Sequence, residues 1–564
     1  MKKYANVISL LLIILALYWG FRTMMPTYSG DRNLAETAFS MDRALGHVAV
    51  LSQEPRGVGF PGHAKARQYI IDQLEKMGLQ ASVQEGYCLG KDHNLSKVTN
   101  ILARISGSGS GKALLLLSQY DSDLHSALGA SDAGSGVATI SEGVRAFLAT
   151  DTIPKNDIIL LLSDAEEVDL NGAQLFVNEH PWAQEVGLVL NFEARGSGGP
   201  SYTFMETNSG NKNLILRFVQ AQPQYPMANS LYYSIYKLLP NDTDLTVFRE
   251  QGDIPGFNFA FIDDHYDYHT ALDKLDRLDR NTLAHQGSYL SPLLRYFSEV
   301  NLSQMQDPED YVYFNIPIFK LVAYPFGWIG PMLIIAVLVF AFLLFYGFQK
   351  KMLNAKEIGL GFVPVVVGLA LTGITGLYAW PILTKVYPQY MDILQGFPYN
   401  GHLYILAFLF FSLACCFWIY HRYQKLDVAN ALVIPIGIWL VICWGVSTYL
   451  KGAAFFIIPI YALLASLFIH MDKKKPNAYI LFLLTLPALW IYGPFIYAFP
   501  IGLGLKMMAS STVLTALTFF LMLPLFALYP WKKRLALLCD LLFFGFLLAA
   551  HFQSDFNEDR PKPT

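Results

Sequence analysis

The chain has 564 residues, with 41 Lys and Arg against 44 Asp and Glu, a formal charge of −3, and 53% hydrophobic residues. A near-neutral charge without a basic tract gives no electrostatic footprint for nucleic acid, so no such partner is expected. Of the five cysteines only Cys88 lies outside the long apolar runs, which excludes an internal disulfide framework for the polar part of the chain.

The first element is VISLLLIILALYWGF, Val7 to Phe21, which follows Lys2 and Lys3 and carries no small-residue cleavage pattern. It reads as a retained signal anchor, with residues 1–24 as its segment. Residues 25–316 then carry most of the charge and turn chemistry. Gly62 to Leu79 has apolar residues at helical spacing and ends at a glycine, which predicts an amphipathic helix. VTNILARI, KALLLLSQYDS, DIILLLSDAEE, VGLVLNFEARG and GFNFAFID follow as short apolar runs, with helical stretches such as SGVATISEGVRAFLA between them. That alternation predicts an α/β domain with a mostly parallel central sheet flanked by helices. Residues 317–564 hold apolar segments near 326–348, 357–380, 402–420, 430–449, 453–470, 477–498, 511–529 and 534–552. Each is long enough to cross a hydrocarbon core of roughly 30 Å as a helix, so an all-α multi-pass domain of about eight helices is expected in the lipid bilayer.

Threading these spans from a cytoplasmic N-terminus puts Lys350, Lys351 and Lys356 on one side, followed by His421, Arg422 and Lys425, then Lys473–Lys475, then Lys532, Lys533 and Arg534. All the strongly basic loops then share the inner side, which places residues 25–316 outside the cell (inner) membrane. In a eukaryote the equivalent membrane would be that of the vacuole or endoplasmic reticulum. Asp540 is the one acidic residue well inside a span, and Arg534 is its expected partner near the interface. Nothing in the sequence sets the oligomeric state.

Ligands of parallel sheets gather beyond the carboxyl ends of the strands. Asp121, Asp132, the pair Glu166–Glu167, Glu193 and His269 all fall at such ends or in adjoining loops. This mix of oxygen and nitrogen donors suits zinc, and a bridging carboxylate is the usual means of holding two ions for hydrolysis. Neighbouring side chains on extended backbone face opposite ways, so one of Glu166 and Glu167 can hold metal while the other reaches the water. Gln119 stands where an imidazole would suit the site. Two residues before Asp121 on a strand, its amide nitrogen is expected to donate to Asp121, leaving its oxygen toward the metal as a poorer zinc ligand than imidazole. One zinc site is therefore expected to be well furnished and a second to be weak or lost.

Blander readings stand beside these. Glu166–Glu167 taken alone fits an exposed acidic pair, and His269 fits a surface histidine, since DDHYDYHT is polar. His265 reads as a surface residue, His63 as a helix-start residue, and His125 as a minor candidate to replace the missing ligand. GASDAGSG lacks the Gly-Lys-Ser/Thr ending of a phosphate loop. Arg195 is open between holding a substrate carboxylate and pairing with an acidic neighbour.

The pieces SQYDS, GASDAGSG, SDAEEVDLNGAQLF, LNFEARGSGGP, NDTDLTVF and YHTALDKLDRLD, in that order across roughly residues 45–300, resemble the zinc aminopeptidases related to the endoplasmic-reticulum metallopeptidase and the vacuolar membrane protease. These share a fold with glutamate carboxypeptidase and glutaminyl cyclase. The resemblance implies that Asp132 bridges two ions, Glu167 and His269 complete one zinc, Glu193 serves the other, Glu166 is the general base and Asp121 stands behind the ligands. It also implies a histidine at position 119, and an apolar residue and glycine where this chain has Val168-Asp169. The leading expectation is a membrane zinc metallopeptidase that cleaves peptides, of aminopeptidase type. A single-zinc acyltransferase like glutaminyl cyclase, and a receptor or scaffold that has lost turnover because of Gln119, are the alternatives.

Overall fold

The computed structural model describes residues 2–31, 34–125, 127–239, 241–472 and 476–563; the basic triplet Lys473–Lys475 and the side chains of Lys2 and Lys3 lie outside the described residues. The chain divides into two compact units. An α/β unit comprises Thr23–Asn315 with Lys320–Pro325, and a helical unit comprises Met1–Arg22, Ile316–Phe319 and Phe326–Lys562.

The α/β unit is built on seven strands: β1 (Ser82–Leu89), β2 (Leu95–Ile105), β3 (Ala113–Gln119), β4 (Ile158–Ser163), β5 (Val186–Ala194), β6 (Gly198–Glu206) and β7 (Gly256–Asp263). They lie in the order β1-β2-β4-β3-β5-β7-β6. The four central strands β4, β3, β5 and β7 are parallel, whereas β1 with β2, β2 with β4, and β6 with β7 pair antiparallel. The expected parallel strands form the centre of the sheet and antiparallel strands flank it, and connection length is the reason. Residues 90–94 between β1 and β2, and 195–197 between β5 and β6, are too few for the crossover that a parallel neighbour requires.

Both faces of the parallel centre are covered, so its strands read as unbroken apolar runs. Leu114, Leu116, Leu160, Leu188 and Leu190 face the helices Pro61–Lys76, Gly134–Leu148 and Arg280–Phe297. Leu115, Leu117, Ile159, Leu161 and Val189 face Asn171–Glu179 and Asp244–Gly252. The chain leaves β3 for β4 on one side and then passes to β5 on the other. The carboxyl ends of these strands therefore diverge around a crevice, the place where such sheets collect ligands.

The helical unit contains, among the described residues, nine helices long and apolar enough to cross a membrane. The first, Tyr4–Arg22, belongs to this bundle rather than standing apart: Trp490 Nε1 donates to Ala16 O at 2.9 Å, and Ser9 Oγ lies 2.9 Å from the Tyr529 hydroxyl. Leu505–Phe526 runs through the interior, with 78% of its apolar window buried against 11% for Phe326–Gln349. Asp540 accepts a hydrogen bond from Trp418 Nε1 at 2.8 Å and makes no ion pair with Arg534 among the described residues. The indole lies on the helix Gly401–Arg422, which packs against Lys532–His551, and it meets the half-buried carboxylate between those two helices.

Candidate functional site

Strand β3 ends at Gln119, and the loop after it is held from beneath. Arg56 is fully buried, and its guanidinium donates to the carbonyls of Tyr120 at 2.8 Å, Gly129 at 2.6 Å and Leu128. Asp273 accepts the backbone N–H groups of Ser131 at 2.7 Å and Asp132 at 2.9 Å. These two buried groups fix the position of Asp132, whose peptide bond to Ala133 is cis. The glycines of GASDAGSG serve close packing: a side chain at Gly136 would run into Ser118 Oγ and the Phe192 carbonyl.

At the end of β4, Ala165 adopts a left-handed φ of 56°, and residues Glu166–Asp169 form one short helical turn. The two glutamates are therefore not on extended backbone as expected; the sharp reversal at Ala165 presents them from a helix start. Asp121 receives both of their backbone N–H groups, from Glu166 at 3.2 Å and Glu167 at 3.3 Å. This overturns the expected Gln119–Asp121 bond. Gln119 Nε2 instead donates to Asp132 Oδ1 at 3.2 Å and to Glu166 Oε2 at 3.4 Å, because Asp121 is already spent on the turn.

His269 follows β7 through a turn and also has a left-handed φ, 56°, a conformation that costs a non-glycine residue of the order of 1 kcal/mol and recurs at functional sites. Tyr268 stacks on its ring at 3.7 Å. The imidazole Nε2 lies 3.0 Å from Glu167 Oε2 and 3.3 Å from Asp132 Oδ2, and Nδ1 lies 3.4 Å from Asp123 Oδ2. Asp132, Glu167 and His269, more than a hundred positions apart at the extremes, thus meet. Glu193 is buried beside them within electrostatic reach of Asp132, Glu166 and Glu167.

Several contributors were not anticipated. Asp123, Glu167 and His269 each offer a donor atom within 4.8 Å of one another, so Asp123 joins the candidate ligands. Its signal was its spacing of two from Asp121, which was itself two from Gln119. Asp244 is fully buried and accepts a hydrogen bond from Ser163 Oγ. It sits inside the NDTDLTVF motif, yet only the folded chain brings it under the site. Asp273 likewise sits inside the YHTALDKLDRLD motif without having been singled out, and Arg56 lies in none of the motifs. His265, read as a surface residue, is buried, because the polar DDHYDYHT segment turns inward to pair with groups such as Arg277 and Ser197. His63 is also buried, stacked on Tyr120 and bonded through Nε2 to Asp164 at 2.7 Å. His125 is exposed and paired with Asp123 at 2.7 Å, so it does not stand in for the ligand missing at position 119.

The electrostatics demand a cation. Burial, then the charges of Glu193 and Glu167, hold the Glu166 carboxyl well above the usual range. Glu193 is raised by burial and by Asp132, and Glu167 is pushed up to about 8 by burial and Asp132. Burial works against the charged form of His269, but Glu167 and Asp132 drive it up to about 11. A bound divalent ion would take the place of that proton and invert the local preference for neutral carboxyls. The donor set passes a second test. Gln119 Oε1 and Glu167 Oε1 are buried without a hydrogen-bond partner, which is costly unless something binds them.

The chain is similar to several known proteins. Residues 100–294 match the profile described as Peptidase family M28. The chain is 26% identical to human endoplasmic reticulum metallopeptidase 1 over 493 residues, covering 80% of this chain and 53% of that protein. It is 32% identical to the vacuolar membrane protease of Candida dubliniensis over 232 residues, covering 40% of this chain and 24% of that protein. The chain thus spans about half or less of these relatives. Among solved structures, a glutaminyl cyclase of Porphyromonas gingivalis aligns with 20% identity and a TM-score of 0.38, over 46% of this chain and 98% of that one. A Zn-dependent exopeptidase of Parabacteroides distasonis aligns with 19% identity and a TM-score of 0.37, over 46% and 99%. The α/β unit gathers its carboxylates and imidazole at the strand ends, and its residues 100–294 are similar to peptidase family M28.

Proposed function

We propose that this protein is a membrane-anchored zinc metallopeptidase of aminopeptidase type, with its α/β unit on the extracytoplasmic face of a cell membrane. The observation that carries the reading is the approach of Glu167 and Asp132 to one nitrogen of His269, with Glu166 beside them. Asp132, Glu167 and His269 would hold the ion, and Asp123, at the far nitrogen of the imidazole, orients the ring. Zinc bound there supplies Lewis acidity toward the scissile carbonyl and toward water. Glu166 accepts the proton of the attacking water and returns it to the leaving amine. Its raised proton affinity in a buried acidic setting suits a base that must also act as an acid. Glu193 is placed to receive the free amine of the substrate.

We assign one zinc rather than two. The Gln119 amide already donates to Asp132 and Glu166, so it supplies the positive end of a dipole between two carboxylates that a second ion would otherwise neutralise. Elemental analysis of the detergent-solubilised protein should give one zinc per chain, and Gln119→His should raise that number toward two. Two zincs in the unaltered protein would overturn the assignment. Peptides with a free N-terminus should be cleaved and their acetylated counterparts spared; equal cleavage of both would remove the aminopeptidase reading. A single ion also fits cyclase chemistry, and conversion of an N-terminal glutaminyl peptide to a pyroglutamyl product without hydrolysis would favour that reading instead.

The location follows from the loops. With nine spans, the basic groups Lys350–Lys351, His421–Arg422 and Lys532–Arg534 fall on one side, opposite the α/β unit. A protease added to intact cells or spheroplasts should cut within residues 23–315. Protection of that stretch, with cleavage near Lys350, would reverse the orientation.

A further inference from the structure

Arg195 follows the site's Glu193 by two residues, and the hydrolysis itself does not use its chemistry. Residues 195–197 bend away from the end of β5 but stay bonded to β7: the Arg195 N–H bonds Phe261 O at 2.8 Å, and the Ser197 N–H bonds Asp263 O at 3.0 Å. The position is rigid, since a side chain at the intervening Gly196 would collide with the carbonyls of Ile262 and Asp263. Arg195 stands two residues after Glu193, at the carboxyl end of β5 where the site's carboxylates gather. Its charge is felt by the buried phenol of Tyr268, the ring stacked on His269.

The guanidinium is half-buried, yet it makes no hydrogen bond or ion pair among the described residues. Other arginines of this unit are committed. Arg104 pairs with Asp157 and Glu185, Arg145 with Glu142, Arg249 with Glu206 and Arg277 with Asp267, while Arg56 is saturated by carbonyls. A partly desolvated guanidinium with unspent donors is costly, and its planar fork matches a carboxylate in two parallel bonds. The acidic neighbours do not supply that carboxylate, although the basin beside it holds several.

We infer that Arg195 receives a carboxylate of the substrate on the leaving-group side of the scissile bond, which makes short peptides with a free C-terminus, or with an acidic residue after the cleaved bond, the preferred class. The inference rests on the peptidase reading and adds a second anchor to it: Glu193 takes the amine, Arg195 the carboxylate. Zinc binding is not required of Arg195, so its loss should leave metal content unchanged.

The test uses the full chain in detergent with three probes: Leu-Gly, its C-terminal amide, and Leu-Asp amide, which carries only a side-chain carboxylate. Leu-Gly should exceed its amide at least 10-fold in kcat/KM. Recovery of activity on Leu-Asp amide would identify the side-chain carboxylate as an accepted source, and failure to recover would restrict the site to the C-terminus. In Arg195→Gln the preference should collapse through a rise in KM of about 10- to 100-fold, with kcat and zinc content held, the loss expected when a charge-assisted pair is removed. Arg195→Lys should restore part of it. Equal turnover of Leu-Gly and its amide by the unaltered protein, or an undiminished preference in Arg195→Gln, would overturn the inference while leaving the peptidase reading intact. If no probe is hydrolysed the peptidase reading fails, and calorimetric binding of the same peptides to the zinc-loaded protein decides Arg195 separately: tighter binding of the free acid, lost in Arg195→Gln, supports it, and equal binding refutes it.

Discussion

The two units use buried polar groups in opposite ways. In the helical unit, apart from pairs such as Ser9 with Tyr529, many hydroxyls are spent locally: Thr372 bonds the carbonyl of Gly368, Ser412 that of Phe408, Ser466 that of Ala462 and Thr518 that of Leu514. Each is one turn back along its own helix, the solution available where no water reaches the backbone. In the α/β unit the polar groups bond across long sequence distances and converge on one place, as Asp273 does with Asp132 and Gln119 with Glu166. A helix can satisfy a hydroxyl by itself. Only the splayed ends of several strands can leave carboxylates facing one another, and that is where reactivity becomes possible.

The sharpest way to break this comparison is to remove the base. Glu166→Gln should lower kcat by about 10²- to 10⁴-fold with zinc content unchanged, as measured by peptide hydrolysis and elemental analysis. Retained turnover would mean that the converging carboxylates do not perform the chemistry. Next in size is the support beneath the site. Asp273→Ala frees the N–H groups of Ser131 and Asp132 and should weaken zinc affinity about 10- to 100-fold, read by competition with a chelator.

The stability of the α/β unit should also depend on pH through His285, which lies away from the metal site. Its Nδ1 accepts the Ser201 N–H at 3.1 Å and its Nε2–H donates to Tyr225 O at 2.7 Å, while burial pushes its pKa down to about 4. Because the folded value lies below the ordinary 6.5, the unfolded chain binds the extra proton first as pH falls. The stabilisation is complete above about 6.5 and is lost progressively down to about 4, a total of ~3 kcal/mol. Denaturant titrations across that window should show this acid limb, and His285→Gln should flatten it.

The helical unit should respond less. Asp540→Asn keeps an acceptor for Trp418 and should change the melting temperature of the bundle by an amount equivalent to about 1 kcal/mol or less, whereas Trp418→Phe strands the carboxylate and should cost more. Smallest of all, Ser412→Ala removes only a bond to its own helix, and a shift within about 0.5 kcal/mol is expected. A large loss there would show that the local hydroxyls carry tertiary structure after all.

Much of the architecture was legible in advance. Runs such as KALLLL and DIILLL are apolar on both faces and name the parallel strands, and the nine apolar segments name the helices that fit a bilayer. The antiparallel flanks add to that reading, and the short 90–94 and 195–197 connections carry the information for them. For the site, motif order singled out Asp132, Glu166, Glu167, Glu193 and His269 as candidates, and the fold brings Asp132, Glu167 and His269 together. The bonding of Gln119 was not, because a local rule paired it with Asp121 when the turn at Ala165 had already claimed that carboxylate.

What the sequence determined alone is therefore periodicity and inventory: which segments are apolar, how long they are, and which donor atoms stand at strand ends. These are properties of neighbours along the chain, and local sterics and hydrophobicity settle them. What only the tertiary structure decided is who meets whom. Arg56 under the Asp132 loop, Asp123 behind His269 and the unspent guanidinium of Arg195 depend on contacts between residues tens to hundreds of positions apart, and no local rule encodes a distance that folding alone closes.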